Sequence, residues 1–255
     1  MRIATWNVNS LNVRLPHVLA WLDEHRPDVL MLQETKLTDD RFPVEDLRSA
    51  GYHAVFSGQK TYNGVAILSR EPPADVISRF PPVTDEQRRT IAATVGGVRV
   101  INLYVVNGQA VGTDKYDYKL TWLREVTEHL RSEIDEYEHT VVAGDFNIAP
   151  EDRDVHDPEE WKDAILCSGP ERDALGVIKD LGFADTFRLF EQPERSFSWW
   201  DYRAAAFRRD RGLRIDLILA SSGLAARCTS CRIDRDARKK ERPSDHTPVV
   251  ADFDL

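Results

Sequence analysis

The sequence lacks three features that would remove it from the ordinary globular proteins. Its 255 residues include no uninterrupted apolar run of about 18 residues, so we expect no membrane-spanning helix and no membrane partner. Its start has no long apolar run like that of a secretory signal. The three cysteines, Cys167, Cys228 and Cys231, are too few for a disulfide framework. We therefore expect a soluble protein of a reducing compartment, and place it in the cytoplasm.

The chain also has little that would divide it into parts. It contains no short repeat and no linker rich in proline, glycine or serine. Hydrophobic residues make up 42% of the sequence, which is enough for a substantial core and excludes an intrinsically disordered chain. We therefore predict a single domain over residues 1–255.

The chain lacks an overall positive charge, because its 43 acidic residues outnumber its 34 Lys and Arg and the net charge is −9. The basic residues are, however, unevenly distributed along the sequence. Residues 1–200 carry 22 Lys and Arg against 34 Asp and Glu, whereas residues 201–255 carry 12 against 9. Five arginines and one aspartate lie between Arg203 and Arg214. Since charges act locally, within about 10 Å, this basic segment is compatible with binding a polyanion and equally with a solvated loop.

Strand-like and helix-like segments alternate along the chain. Apolar spacing predicts helices over Val13–Arg26 and Tyr118–Tyr137, and a capping box at Ser168–Glu171 opens a third helix that ends at Leu181–Gly182. A long loop containing Pro72, Pro73, Pro81 and Pro82 follows the third strand. Eight apolar runs predict strands: Ile3–Trp6, Val29–Leu32, Gly64–Ser69, Thr90–Thr94, Val98–Val106, Thr140–Ala143, Ile215–Leu219 and Pro248–Phe253. This pattern predicts an α/β fold of two packed sheets covered by helices.

Polar side chains stand where several of these strands begin or end. A carboxylate beside a buried strand costs several kcal/mol unless it is paired or bound to a cation. Several that converge on one edge of a sandwich would therefore make an oxygen-rich cluster. Five candidates offer hard oxygen ligands and no thiol, which favours Mg²⁺, with Mn²⁺ as a substitute, over zinc: Asn7, Glu34, Asp145, Asn147 and Asp245.

His246 directly follows Asp245, and Asp216 is an acid inside an apolar strand. A buried carboxylate of this kind would fix the tautomer of His246 and stabilise its cationic form. A divalent cation, a carboxylate able to activate water and a paired histidine together predict phosphoester hydrolysis. Each motif alone is also compatible with a turn or a helix cap, so the prediction depends on their joint occurrence.

Taken together, these segments resemble the exonuclease III class of apurinic/apyrimidinic (AP) endonucleases, bacterial type, within the endonuclease–exonuclease–phosphatase superfamily. The resemblance covers essentially the whole chain and rests on seven segments in order: Trp6–Leu11, Leu32–Lys36, Tyr62–Ile67, Asn102–Val105, Gly144–Ala149, Gly212–Asp216 and Pro243–Pro248. It implies a four-layer α/β sandwich, DNase I-like, with two mixed sheets packed face to face and flanked by helices.

The resemblance implies a monomeric, Mg²⁺-dependent nuclease of DNA repair. Its substrate would be double-stranded DNA, cleaved 5′ of abasic sites, with 3′-phosphodiesterase activity on blocked 3′ ends and 3′→5′ exonuclease activity. Glu34 resembles the principal metal ligand, with Asn7 and Asp245 completing the site and Asp145 and Asn147 beside it. Asp145 would activate the attacking water, and Asn147 would orient it and stabilise the transition state.

Further roles follow from the same resemblance. Tyr104 and Asn107 would contact the scissile phosphate, and His246, paired with Asp216, would bind it. The nucleophile's proton could go to Asp145, or a tyrosinate at Tyr104 could take part, and the sequence leaves both alternatives open.

The segment Trp199–Tyr202 resembles the loop that forms the pocket for an abasic nucleotide. Trp199, Leu213 and Ile215 would line it, because an apolar slot accepts a sugar without a base and sterically rejects a normal nucleotide. Tyr62 and Arg203 would contact the DNA. Two adjacent tryptophans are also compatible with a core residue and a lid.

The chain departs from the family pattern beside the phosphate-contacting loop. Val106 stands where many members have proline, and Gln109 and Ala110 stand where some relatives place an arginine that inserts into the duplex. A predominantly 3′-end-processing enzyme is therefore an alternative. Two others are a phosphoesterase of the same fold acting on a phosphoinositide, sphingomyelin or RNA, and a catalytically inactive binding module.

Overall fold

The structure, a computed structural model, describes residues 1–80 and 86–255, so Pro81 and Pro82 of the predicted loop lie outside it. The described strands are β1 (Arg2–Asn7), β2 (Val29–Gln33), β3 (His53–Ser57), β4 (Val65–Ser69), β5 (Ala74–Ile77), β6 (Thr90–Val95), β7 (Val98–Tyr104), β8 (Thr140–Asp145), β9 (Phe183–Asp185), β10 (Asp216–Ser221), β11 (Cys228–Ile233) and β12 (Val249–Phe253). The described α-helices are α1 (Leu11–His25), α2 (Val44–Ser49), α3 (Asp114–Glu136), α4 (Gly169–Asp180) and α5 (Ser222–Ala225).

The strands form two six-stranded mixed sheets built on the same plan. The first has the order β11-β12-β1-β2-β4-β3 and the second β5-β6-β7-β8-β10-β9. In each sheet the two central strands, β1 with β2 and β7 with β8, run parallel, and the other neighbours are antiparallel. The last strand, β12, lies inside the first sheet between β11 and β1.

The two sheets pack face to face because their strands are apolar on both sides. Ile3 and Met31 of the first sheet share a core with Val100 and Val141 of the second. The outer face of the first sheet packs against α1, and that of the second against α3 and α4. Helix, sheet, sheet and helix are therefore the four layers, and the predicted four-layer α/β sandwich is confirmed. No helix within residues 1–80 and 86–255 combines the length and the apolar character needed to cross a membrane.

The eight predicted strands are all present, and they are the eight interior strands of the two sheets. The predicted loop after Ser69 is wrong in one respect, because it contains the edge strand β5. Residues of β5 are mostly exposed and lie beside Pro72 and Pro73, so the segment has no continuous apolar run to mark it as a strand. The capping box of Ser168 and Glu171 is present at the start of α4.

Two buried amides join the sheets beside the end of β2. Asn102 of β7 donates from Nδ2 to the carbonyl oxygens of Leu32 (2.8 Å) and Ala66 (2.9 Å) in the opposite sheet. Its Oδ1 accepts a hydrogen bond from Gln33 Nε2 at 2.8 Å. Because buried polar groups are costly to leave unpaired, these hydrogen bonds hold the two sheets in a fixed relative position next to Glu34.

One edge of the sandwich collects polar residues from both sheets. β1, β2, β7 and β8 end there, while β10 and β12 begin there. Asn7 is aligned with Gln33, and Asp145 is aligned with both Tyr104 and Asp216. The parallel pairs thus deliver their C-terminal residues to the same place, which is the site described next.

Candidate active site

Asn7, at the end of β1, joins carboxylates that come from the two different sheets. Its Nδ2 donates to Glu34 Oε1 and to Asp145 Oδ2, both at 2.8 Å, and its Oδ1 accepts from the Asn9 backbone at 2.9 Å. Glu34 has a left-handed backbone (φ 53°) immediately after β2, and its Oε2 forms an ion pair with Lys36 at 2.9 Å. Asn7 therefore holds both carboxylates, and its predicted role as a direct metal ligand stays a prediction.

Asp145 and Asn147 are set by a tight approach of two strands. A Cβ on Gly144 would lie 1.8 Å from the backbone oxygen of Leu103, so a glycine is required where β8 passes β7. Asn147 has a left-handed backbone (φ 49°), and its N–H donates to Asp145 Oδ1 at 2.9 Å. Asn107 Nδ2 donates to Asn147 Oδ1 at 3.1 Å. The Asp-x-Asn segment thus forms a rigid turn with both side chains in the site.

His246 is paired with Asp216 as predicted. Its Nδ1 lies 2.9 and 3.1 Å from the two carboxylate oxygens of Asp216, and its Nε2 lies 3.7 Å from Asp145 Oδ2. Burial alone would lower the pKa of His246, but the negative charges of Asp216 and Asp145 outweigh that effect and raise the pKa to about 10. His246 is therefore an imidazolium at neutral pH, and both ring nitrogens are donors.

Glu34, Asp145 and His246 converge, because one carboxylate oxygen of each acid and one ring nitrogen of His246 lie within 4.8 Å of one another. The pKa of Asp145 is raised to about 7, and burial is the largest cause. The charges of Asp216 and Glu34 also raise this pKa, whereas the charge of His246 lowers it. A cation beside these carboxylates would remove that penalty. Because the imidazolium cannot act as a ligand, the donors available are carboxylate and amide oxygens, which fit Mg²⁺ or Mn²⁺.

Asp245 lies at the rim of this cluster and connects the loops that carry Asn9 and Trp199. Its Oδ1 accepts from Asn9 Nδ2 at 2.9 Å, and its Oδ2 accepts from Trp199 Nε1 at 3.1 Å. Burial would raise the pKa of Asp245, but the charge of His246 and these two hydrogen bonds outweigh it, so the pKa is lowered. Asp245 is thus a carboxylate at neutral pH.

Tyr104 ends β7 beside the cluster. Burial raises its pKa well above the ordinary value, and the charges of Glu34 and Asp145 raise it further. Arg89 lies over its ring, with 4.9 Å between the guanidinium carbon and the ring centroid. The phenol is therefore neutral at physiological pH in this arrangement.

The cluster opens into a pocket of about 320 Å³. Ten of the predicted site residues line it: Glu34, Tyr104, Asn107, Asp145, Asn147, Trp199, Arg203, Ile215, Asp245 and His246. Asn7 and Asp216 are buried behind them and hydrogen-bonded to them. Tyr62 is two-thirds exposed on a surface loop and does not line the pocket.

The predicted pocket loop has one wall residue and two supporting residues. Trp199 lines the pocket, and Leu213 lies fully buried beside it, exchanging two backbone hydrogen bonds of 3.0 Å with it. Trp200 is also fully buried, edge-on to Phe207 at 5.1 Å. Leu213 is thus not among the residues that line the pocket, because it packs against Trp199 from within the core. Trp200 is a core residue, whereas Trp199 lines the pocket.

The basic segment contains a residue that supports the fold. Arg214 is 1% exposed and donates to Asp154 at 2.7 Å and to Asp185 at 2.8 Å. Arg214 is therefore neither a solvated loop residue nor available to a polyanion, because two buried acids occupy its guanidinium. Arg203, in contrast, is exposed and paired with Asp201 at 2.7 Å at the pocket rim.

The sequence analysis missed part of the apolar lining of the pocket. Trp161, Ile165 and Leu166 line it, and Leu166 has a left-handed backbone (φ 73°). Trp161 Nε1 is buried and has no hydrogen-bond partner among the described residues. These residues lie in a charge-rich segment. The one sequence feature that could have indicated an apolar surface there is the spacing of Trp161 and Ile165, four residues apart.

A four-layer α/β sandwich with a hard-oxygen cation site and an imidazolium beside an apolar-walled pocket defines a metal-dependent phosphoesterase. The comparison with known families agrees with this class. The chain belongs to the endonuclease/exonuclease/phosphatase family, whose model matches residues 4–246.

Relatives within the family are similar over their full length. Exodeoxyribonuclease III of Haemophilus influenzae is 37% identical, covering 99% of this chain and 100% of the relative. A 3′ phosphatase from Neisseria, solved with a product DNA hairpin, is 51% identical with a TM-score of 0.98, and an AP endonuclease from Archaeoglobus fulgidus is 43% identical with a TM-score of 0.96. Both structures and this chain are covered completely.

Proposed function

We propose that this protein is a DNA-repair nuclease that depends on Mg²⁺, with Mn²⁺ as a substitute. It hydrolyses the phosphodiester 5′ of abasic sites in duplex DNA, removes blocked 3′ ends and acts as a 3′→5′ exonuclease. The observation that carries the proposal is the cluster of Glu34, Asp145 and His246, within 4.8 Å, at the mouth of a pocket walled by Trp199. The names of the full-length relatives support DNA as the substrate.

Glu34 and Asp145 would hold the cation, with Asn7, Asn147 and Asp245 around it. When bound, the cation neutralises charge on the phosphate oxygens and stabilises the leaving oxygen. Asn7 keeps both carboxylates 2.8 Å from its amide nitrogen, which fixes their spacing before substrate arrives.

Asp145 would accept the proton of the attacking water, because its carboxylate lies within the cluster and is held by hydrogen bonds from Asn7 and from the Asn147 backbone. Asn147, fixed by its bond to Asp145, would orient that water. His246 would donate from Nε2 to a phosphate oxygen, since Asp216 occupies Nδ1. The raised pKa of Tyr104 favours a neutral phenol that donates to the phosphate over a tyrosinate nucleophile activator.

The apolar lining of the pocket would determine which nucleotide can enter. The apolar lining of the pocket consists of Trp161, Ile165, Leu166, Trp199 and Ile215. A deoxyribose without a base can enter such a pocket without unstacking a base, whereas a normal nucleotide must pay that cost. We further propose that residues 1–255 act as one domain, since Asn7 and His246, which are far apart in sequence, both contact Asp145. We also propose a monomer, because every residue assigned to the site belongs to this one chain.

A predominantly 3′-end-processing enzyme is the second candidate, and the loop after Tyr104 favours it. Residues 107–112 read Asn-Gly-Gln-Ala-Val-Gly and contain no cationic side chain that could enter a duplex. Gln109, Ala110 and Val111 are exposed, and the 51% identical relative is named as a 3′ phosphatase. A strand end needs no such insertion to reach the pocket.

The experiment compares three labelled duplexes side by side: one with an internal abasic site, one with a 3′-phosphate and one with an ordinary 3′ end. Each is incubated with Mg²⁺, with Mn²⁺ and with EDTA, and Asp145→Asn serves as the inactive control. Abasic incision at least as fast as 3′ processing supports the main proposal, and fast 3′ processing alone supports the second candidate. Hydrolysis of a phosphoinositide but of none of the duplexes, or no hydrolysis at all, would refute both.

A further inference from the structure

Lys119 of α3 is fully buried beneath the site, and none of the roles above uses it. We propose that Lys119 is a positioning residue that holds the two loops carrying Asn107 and Asn147 in their catalytic geometry. This inference rests on the proposed function, since it concerns how that same site is kept in order.

All three donors of the Lys119 ammonium group are used. Nζ donates to the backbone oxygen of Asn147 at 2.7 Å and to that of Asn107 at 3.3 Å, and its third partner is the carboxylate of Glu171. The side chains of the two asparagines meet on the other side of the same loops, where Asn107 Nδ2 bonds to Asn147 Oδ1. One ammonium group thus fixes the backbones behind both side chains.

These loops need an external restraint because their backbones are unusual. Asn147, Gly108 and Gln109 all have positive φ angles, of 49°, 86° and 60°. Non-glycine residues in this region persist only when their surroundings hold them there. A Cβ on Gly108 would lie 3.0 Å from Lys119 Cδ, so the lysine stem also packs directly under the loop.

Glu171 links the Lys119 ammonium group to the segment that carries the pocket-lining residue Leu166. Its carboxylate accepts from the backbone N–H groups of Leu166 and Ser168, both at 3.1 Å, and from the Ser168 hydroxyl at 2.6 Å. Burial lowers the pKa of Lys119, although the charge of Glu171 opposes that effect. The pair therefore connects the catalytic asparagines to the segment that carries Leu166.

A second buried ion pair, between β7 and the same helix α3, offers a matched control. Arg99 and Glu133 form a second buried ion pair, and Arg99 NH1 also donates to a backbone oxygen, that of Asp75, at 2.7 Å. Arg99 lies at the start of β7, whereas the site lies at its end. Arg99→Met therefore removes a comparable buried pair without touching the loops of Asn107 and Asn147.

The experiment measures kcat, KM for duplex DNA and urea unfolding for four variants: Lys119→Met, Glu171→Gln, the double variant K119M/E171Q, and Arg99→Met. In K119M/E171Q no unpaired charge remains buried, and the amide oxygen of the introduced glutamine can still accept from Ser168, so part of the stability lost in Lys119→Met should return. We expect kcat to stay about 100-fold low in both Lys119 variants, the scale of a misplaced catalytic group, with KM unchanged. Glu171→Gln keeps an oxygen that can accept from the ammonium, so it should lower kcat less than Lys119→Met does, and Arg99→Met should keep the wild-type kcat.

An amide ¹⁵N spectrum gives an independent readout, because the Asn147 side-chain signals should shift in both Lys119 variants and stay in place in Arg99→Met. The inference is refuted if K119M/E171Q recovers kcat together with stability, or if Arg99→Met loses as much kcat as Lys119→Met. A wild-type protein that fails to hydrolyse any duplex would instead refute the proposed function. An active wild type with unaffected Lys119 variants would refute only the role of Lys119.

Discussion

The substitution Asp216→Asn tests whether a buried carboxylate keeps the phosphate-binding histidine charged. Asp216 is fully buried and lies 2.9 Å from His246 Nδ1. The asparagine retains the shape of the site and removes the charge. Because burial lowers the pKa of His246 and Asp216 is the largest influence that raises it, we expect this pKa to fall from about 10 to its ordinary value or below.

The magnitude follows from the titration. A shift from 6.5 to about 10 corresponds to roughly 5 kcal/mol in favour of the imidazolium. If the pKa returns to 6.5, about 3% of molecules carry the imidazolium at pH 8, a loss of roughly thirtyfold in rate relative to wild type, and the loss shrinks to less than about twofold at pH 6. The defect of the variant should therefore grow as the pH rises.

The assay measures cleavage of the best of the three duplexes from pH 6 to pH 9, with the ratio of variant to wild type plotted against pH. Imidazole ¹⁵N shifts of His246 report its pKa directly. Glu133→Gln is the matched control, because Glu133 is a buried partner of His129 at 3.1 Å and is far along α3 from the site. A pH-independent loss in Asp216→Asn, or a wild-type His246 that titrates near 6.5, would refute the reasoning.

The same shift has a consequence for stability. The folded pKa of His246 lies above its unfolded value of 6.5, so the pair's contribution to the free energy of unfolding is complete below pH 6.5. That contribution is lost progressively as the pH rises from 6.5 to about 10. Asp216→Asn should accordingly flatten the decline in stability over that interval.

Four further substitutions test other parts of the site. Glu34→Ala should raise the Mg²⁺ concentration needed for activity and slow turnover by orders of magnitude, and an unchanged Mg²⁺ titration would contradict its assignment. Asp145→Asn should nearly abolish turnover while DNA binding persists in a gel-shift assay; a loss of less than about tenfold would show that Asp145 is not the base. Trp199→Ala should weaken abasic incision by about 1–3 kcal/mol while 3′ trimming survives, and an equal fall in both would indicate a structural role. Arg214→Met should lower the urea unfolding free energy by about 3–5 kcal/mol, because Asp154 and Asp185 lose their buried partner, and a near-wild-type midpoint would contradict this.

The sequence predicted the interior strands of both sheets and none of their edges. An interior strand in a four-layer sandwich is covered on both faces, so Val29–Leu32 and Thr140–Ala143 read as continuous apolar runs. The edge strands β3, β5 and β11 are only partly covered, and their apolar runs are short, the longest being Ala54–Phe56 of β3. The fourth edge strand, β9, has only three residues, too short to show a pattern.

The site was predictable to the same extent, and for a related reason. Asn7 and Asp145 end interior strands and Glu34 directly follows one, so their convergence could be inferred from strand direction alone. Leu166 and Lys119 could not be found in this way. Leu166 reaches the pocket through a left-handed backbone in a loop, and a lysine on a helix is ordinarily solvated, so only the fold shows that Lys119 is enclosed.

The position of β12 makes the site depend on contacts between distant parts of the sequence. This strand lies inside the first sheet, between β11 and β1. Until it is inserted, β1 has an open edge and Asp245 and His246 have no place in the site. Pairing across so large a sequence separation is slow relative to local structure. We therefore expect the site to assemble only when β12 has paired with β1, so that the slowest contacts of the fold are also the ones that complete the site.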